Sequence, residues 1–193
     1  MALGLIKTQN GKAYHVRSKL ILTPTLGRIQ DIFDISLTES LTRSHSALMV
    51  DPVFPQPKAK SPASARIFVA MPFASELKPI YTDHILKVTG QLGLTCRRGD
   101  DFFTTNHIMQ DVWSAIYQSE LCIVDCTGRN PNVFYELGIA HTLGRKTILI
   151  VQSLDDIPFD LKAFRVIDYL YTPPGMVEFE TRLTKTLREE LGL

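Results

Sequence analysis

The chain has 193 residues, 45% of them hydrophobic and 21% charged, room for one ordinary domain with a real core plus an appendage. Its 21 Lys and Arg and 20 Asp and Glu leave a formal charge of +1, so no overall field draws it to a nucleic-acid polymer or an anionic membrane. Three cysteines, Cys96, Cys122 and Cys126, with no His or Cys partner at a zinc-like interval, argue against a disulfide framework or a metal centre and for idle thiols in a reducing compartment.

In chain order, the opening MALGLIKTQNGK is apolar only as far as Lys7, too short for a signal-peptide core or a membrane span, so a cytoplasmic protein is expected. Residues 13–23, 28–38 and 46–54 mix β-branched and apolar residues in near-alternation and read as a few strands. A segment of this size is too small for a stable core of its own. From 52 to 65 Pro, Ala, Ser and Lys dominate and no period survives, which marks a linker. The expected organisation is a small β-rich segment over 1–51, a linker over 52–65 and an α/β domain over 66–193.

After the linker, apolar runs alternate with amphipathic stretches, the pattern of βαβ units. Residues 66–71, 121–124 and 147–151 are almost continuously apolar, as strands covered on both faces must be, and 94–97 and 165–169 are weaker strand candidates. Helices are expected over 76–92, 105–119, 131–143 and 176–191. Five strands and four helices joined by right-handed crossovers predict a three-layer, Rossmann-like parallel sheet of flavodoxin-like order.

Ligands of open parallel sheets bind beyond the carboxyl ends of the strands, so the residues following each strand are the candidates. Met71, Pro72 and Phe73 follow the first, Arg97 and Asp100 the second, and Asp125 to Asn132 the third. This last stretch is the richest, because Asn130 can cap a helix and Pro131 suits its first position, aiming free N–H groups at the crevice. On that helix Val133, Leu137, Ala140 and Gly144 form an inward stripe, and Glu136 falls at its edge, where partial loss of solvent would suit an acid or a nucleophile. Taken alone, a helix-edge Glu, an Asp such as Asp111 in the preceding helix, and the isolated His107 and His141 each have ordinary solvated readings.

Together these residues resemble the nucleoside 2-deoxyribosyltransferase family and its relatives that hydrolyse nucleotide N-glycosidic bonds, over 66–169. The resemblance rests on Phe68-Val-Ala-Met-Pro-Phe73, Gln110-Asp-Val-Trp-Ser-Ala-Ile116 and Asn132-Val-Phe-Tyr-Glu-Leu-Gly-Ile-Ala-His141 followed by Gly144-Arg-Lys. It implies Glu136 as the catalytic carboxylate and Asp111 as the residue that faces and protonates the base. It also implies a small nucleoside or nucleotide as ligand, no metal or tightly held cofactor, and assembly into homo-oligomers. The family's second base-facing Asp is replaced here by Asn130, an amide that can hydrogen-bond a ligand but cannot act as an acid. The stretch 125–136 also has TIR-like kinship, which leaves two other readings beside N-glycosidase chemistry: cleavage of NAD, or nucleotide sensing without turnover.

Overall fold

A computed structural model describes residues 6–9, 12–15, 21–22, 53–54, 66–101 and 108–193. It divides into two units, residues 1–52 and 53–193. In the first, β1 (Ile6–Gln9), β2 (Lys12–His15) and β3 (Ile21–Leu22) form an antiparallel meander in that order. The apolar run expected as one strand over 13–23 is thus split in two, and β1 lies in a stretch that is too polar to stand out. The expected strands over 28–38 and 46–50 lie outside the described residues.

The second unit is a five-stranded, wholly parallel sheet in the order β5-β4-β6-β7-β8. Its strands are β4 (Ile67–Ala70), β5 (Cys96–Arg98), β6 (Leu121–Asp125), β7 (Lys146–Val151) and β8 (Val166–Asp168). This is the expected three-layer α/β, Rossmann-like architecture. β4 and β6 are buried along their whole length because both faces of the sheet are covered. Alternation sends Ile67, Val69, Leu121, Ile123, Ile148 and Ile150 into one core and Phe68, Ala70, Cys122, Val124, Leu149 and Val151 into the other.

The first core is roofed by α1 (Leu86–Gln91), with the π-helical turns Ile80–Ile85 before it, and by α4 (Pro173–Leu191). A single regular helix was expected over 76–92; the wider turns bring Ile80, Tyr81 and Ile85 all onto the sheet, where each is buried. Helices α2 (Ile108–Gln118) and α3 (Pro131–Thr142) cover the second core and pack on each other. Phe54, inside the stretch read as linker, lays its ring 6.2 Å from that of Trp113 on α2. No described helix is long and apolar enough to cross a membrane.

Helix α4 begins three residues before the expected start at 176. Thr172 caps it by accepting from the Gly175 amide, and Pro173 and Pro174 occupy first-turn positions that need no N–H. Met176, Phe179, Leu183 and Leu187 then face the sheet at helical spacing. Gly175 has no room for a side chain, since a Cβ there would lie 2.4 Å from the Leu170 carbonyl oxygen, a backbone atom. Gly175→Ala should therefore lower stability by about 1–3 kcal/mol, read from the urea unfolding midpoint, although alanine is the better helix former.

Candidate functional site

The sheet order reverses at β4: one crossover carries the chain to β5, the next returns it to β6 on the other side. A crevice opens at such a reversal, beyond the carboxyl ends of β4 and β6. From β4 the chain enters Met71, Pro72 and Phe73. Met71 and Pro72 are buried, Met71 within the core under α1, whereas Phe73 is 65% exposed.

At the end of β5 two adjacent arginines part company. Arg97, paired in register with Phe68, is exposed, while Arg98, paired with Val69, is buried on the α1 side. Arg98 lies between the Phe73 and Tyr81 rings, its guanidinium carbon 5.5 and 4.8 Å from their centroids. Its Nε donates to Asp100 at 2.6 Å, and a second guanidinium nitrogen bonds the other Asp100 oxygen. That pairing holds the Asp100 carboxyl below its usual range. Asp101 accepts from the Arg98 amide at 2.7 Å and from the Tyr81 hydroxyl at 2.6 Å. The sequence marks Arg97 and Asp100 as ligand contacts after this strand and does not single out Arg98, Asp101 or Tyr81.

Strand β6 ends in Asp125, wholly buried. One of its oxygens accepts from the Thr127 amide at 3.0 Å and hydroxyl at 2.5 Å; the other accepts from the Tyr169 hydroxyl at 2.8 Å. Burial pushes its pKa up, against the pull of these donors. The chain then turns through Gly128 (φ 72°) and Arg129 (φ 54°), both left-handed. For arginine this conformation costs about 1–2 kcal/mol. External ties hold it: Gly128 N–H donates to Asp156 at 2.8 Å, and the Arg129 guanidinium donates to the Asp155 carbonyl.

Asn130 then caps α3, its side-chain oxygen accepting from the Asn132 amide at 2.9 Å, with Pro131 in the first turn. Asn132, in the first turn, is exposed. One and a half turns along, Glu136 is partly buried between the stripe residues Val133, Leu137 and Ala140 and solvent. Burial alone pushes its carboxyl up to about 7. No hydrogen bond or ion pair to Glu136 is present among the described residues to offset that loss of water. Its charge reaches Cys122 on β6, where burial chiefly and Glu136 in part raise the thiol to about 11. On the neighbouring helix Asp111 is half-buried in the first turn of α2.

Of the residues marked by the sequence, Phe73 follows β4, Asp111 lies in the first turn of α2, Asn130 and Asn132 begin α3 after β6, and Glu136 lies one and a half turns along α3. Met71, Pro72 and Asp125 are buried. Arg97 and Asp100 lie at the end of the edge strand β5. Among the described residues no group of three His, Cys, Asp or Glu could hold a metal ion.

No family model and no curated protein matches the chain. Solved structures similar to it include the TIR domain of the Toll-related receptor TRR-2 from Hydra magnipapillata, 16% identical with a TM-score of 0.51, over 65% of this chain and 98% of that one. The CMP N-glycosidase BcmB of Clostridium botulinum is 20% identical with a TM-score of 0.49, over 63% of this chain and 99% of that one. A 2-desoxiribosyltransferase from Leishmania mexicana is 18% identical with a TM-score of 0.41, over 45% of this chain and 64% of that one. The chain therefore spans less than two thirds of the Leishmania protein. At 16% identity the likeness to the Hydra domain is one of fold.

Proposed function

We propose that the chain is an N-glycosidase-type enzyme that breaks the base–sugar C–N bond of a nucleoside or nucleotide, with Glu136 as the carboxylate that meets the anomeric carbon. The observation that carries this reading is the partly buried Glu136 carboxyl on α3, the helix that starts beyond the carboxyl end of β6, pushed up to about 7 by that burial. A structural carboxylate gains from being solvated or paired, whereas a group poised near neutrality is what nucleophilic and acid–base chemistry needs.

In the proposed reaction the C–N bond electrons leave with the base, which takes a proton from Asp111 or water. The ionised Glu136 either bonds to the anomeric carbon or stabilises its oxocarbenium character; water then attacks that carbon, expelling the Glu136 carboxylate where it had bonded and giving its proton to the Asp111 carboxylate or to solvent, which completes hydrolysis. Hydrolysis is favoured over base exchange because the Asn130 side-chain oxygen is committed to capping α3 and its amide cannot protonate a base. Free-base exchange between deoxynucleosides should accordingly be slow or undetectable beside hydrolysis.

The test is to incubate the full chain with deoxynucleosides, ribonucleosides, their 5′-monophosphates and NAD, and to follow base release by chromatography. Release from one of these classes, lost in Glu136→Gln, supports the proposal; tight binding without release favours a sensing module instead. Asp111→Asn separates the substrates further. Nicotinamide leaves NAD as a neutral molecule and needs no proton, whereas most nucleobases do. This substitution should slow nucleoside or nucleotide cleavage by about a hundredfold and leave NAD cleavage within a few-fold, if NAD is cleaved at all.

A further inference from the structure

The Asp125 side chain is wholly buried, and the crevice reading gives it nothing to touch. Its partners lie far apart in sequence. Through Thr127 it grips the turn that leaves β6, and through the Tyr169 hydroxyl it grips the end of β8. The Thr127 hydroxyl in turn accepts from the Gln152 amide at 3.1 Å, just past β7. Three strand ends are therefore knotted to one threonine, immediately before two consecutive left-handed residues and the cap of α3.

We propose that Asp125 is a positioning residue for Glu136: by fixing the turn from which α3 springs, it sets how deep the Glu136 carboxyl sits at the crevice edge. This rests on the catalytic reading of Glu136 given above. Glu136 stands six residues beyond Asn130, about 9 Å along the helix axis, so a tilt of about 10° at the cap shifts the carboxyl by about 1.5 Å. Displacements of about 1 Å are enough to lower a rate about a hundredfold where a reacting atom must be met in line. Packing of Val133, Leu137 and Ala140 holds the helix against the sheet; the Asp125 knot ties the backbone at the pivot itself, through the Thr127 amide.

Asp125→Asn turns one acceptor into a donor facing donors and is the variant most exposed to misfolding. The decisive pair is Thr127→Val and Thr127→Ser: valine removes the hydroxyl that joins Asp125 to Gln152 at nearly constant volume, and serine restores it. Two readouts are taken on folded protein: base release, and the midpoint at which the Glu136 side-chain carbon titrates by 13C NMR, assigned by its absence in Glu136→Gln. For Thr127→Val the expected results are a kcat lowered about tenfold or more with KM within about threefold, and a Glu136 midpoint moved towards the ordinary Glu value by about half a unit or more. Thr127→Ser should return both to the native values. A folded Thr127→Val whose Glu136 midpoint equals the native one overturns the inference, whatever its melting temperature. Absence of base release from every form counts against the catalytic reading of Glu136, while the NMR midpoint still decides the positioning claim.

Discussion

Base release by Glu136→Gln is expected to fall at least about a hundredfold, the loss of one strong electrostatic contact in a charged transition state. Glutamine keeps the volume and one acceptor oxygen but can neither bond to the anomeric carbon nor oppose its positive charge. Substrate affinity should change much less, because the contact strengthens mainly as charge develops. The comparison is made on kcat and KM separately, with initial rates at pH 8, where most of the native Glu136 is ionised. A folded Gln variant with native kcat removes Glu136 from the chemistry.

The same substitution should make the protein more stable at pH 8 than its parent. The folded carboxyl titrates near 7, above its usual value of 4.5, so between those values the folded state holds a proton that the unfolded chain has lost. Stability of the parent contributed by this group is therefore fully present below about pH 4.5 and falls as pH rises towards 7, by up to about 3 kcal/mol in all. Glutamine has no such titration. Urea midpoints taken at pH 5 and pH 8 should show the gap between Glu136→Gln and the parent shifting in favour of Gln at the higher pH; parallel behaviour would mean that Glu136 is not desolvated. A gain in stability beside a loss of turnover is the pattern expected where a fold keeps an unfavourable charge for its chemistry.

Much of this arrangement was legible because it depends on local rules. The central strands β4, β6 and β7 stand out as apolar runs, since burial on both faces leaves no polar alternation. Asn130-Pro131 announces the start of α3 by cap chemistry alone, and the inward stripe then puts Glu136 at its edge. What was hidden depends on partners distant in the chain. Asp125 follows an apolar strand and reads as a ligand contact; only the Tyr169 hydroxyl, 44 residues on, reveals an internal tie. Arg97 and Arg98 are indistinguishable in a three-residue strand until register with Phe68 and Val69 assigns each a face. Pro173 and Pro174 look like breakers, yet first-turn positions tolerate them, so α4 starts earlier than its apolar period suggests.

If an ionised, desolvated Glu136 drives glycosidic cleavage, kcat/KM for base release follows the titration of that carboxyl, because this ratio reports groups of the free enzyme. The expected rate climbs tenfold per pH unit on the acid side and levels off with a midpoint at about 7, the value to which burial raises this carboxyl. A profile that is flat from pH 5 to 8, or one whose acid limb persists unchanged in Glu136→Gln, would contradict it.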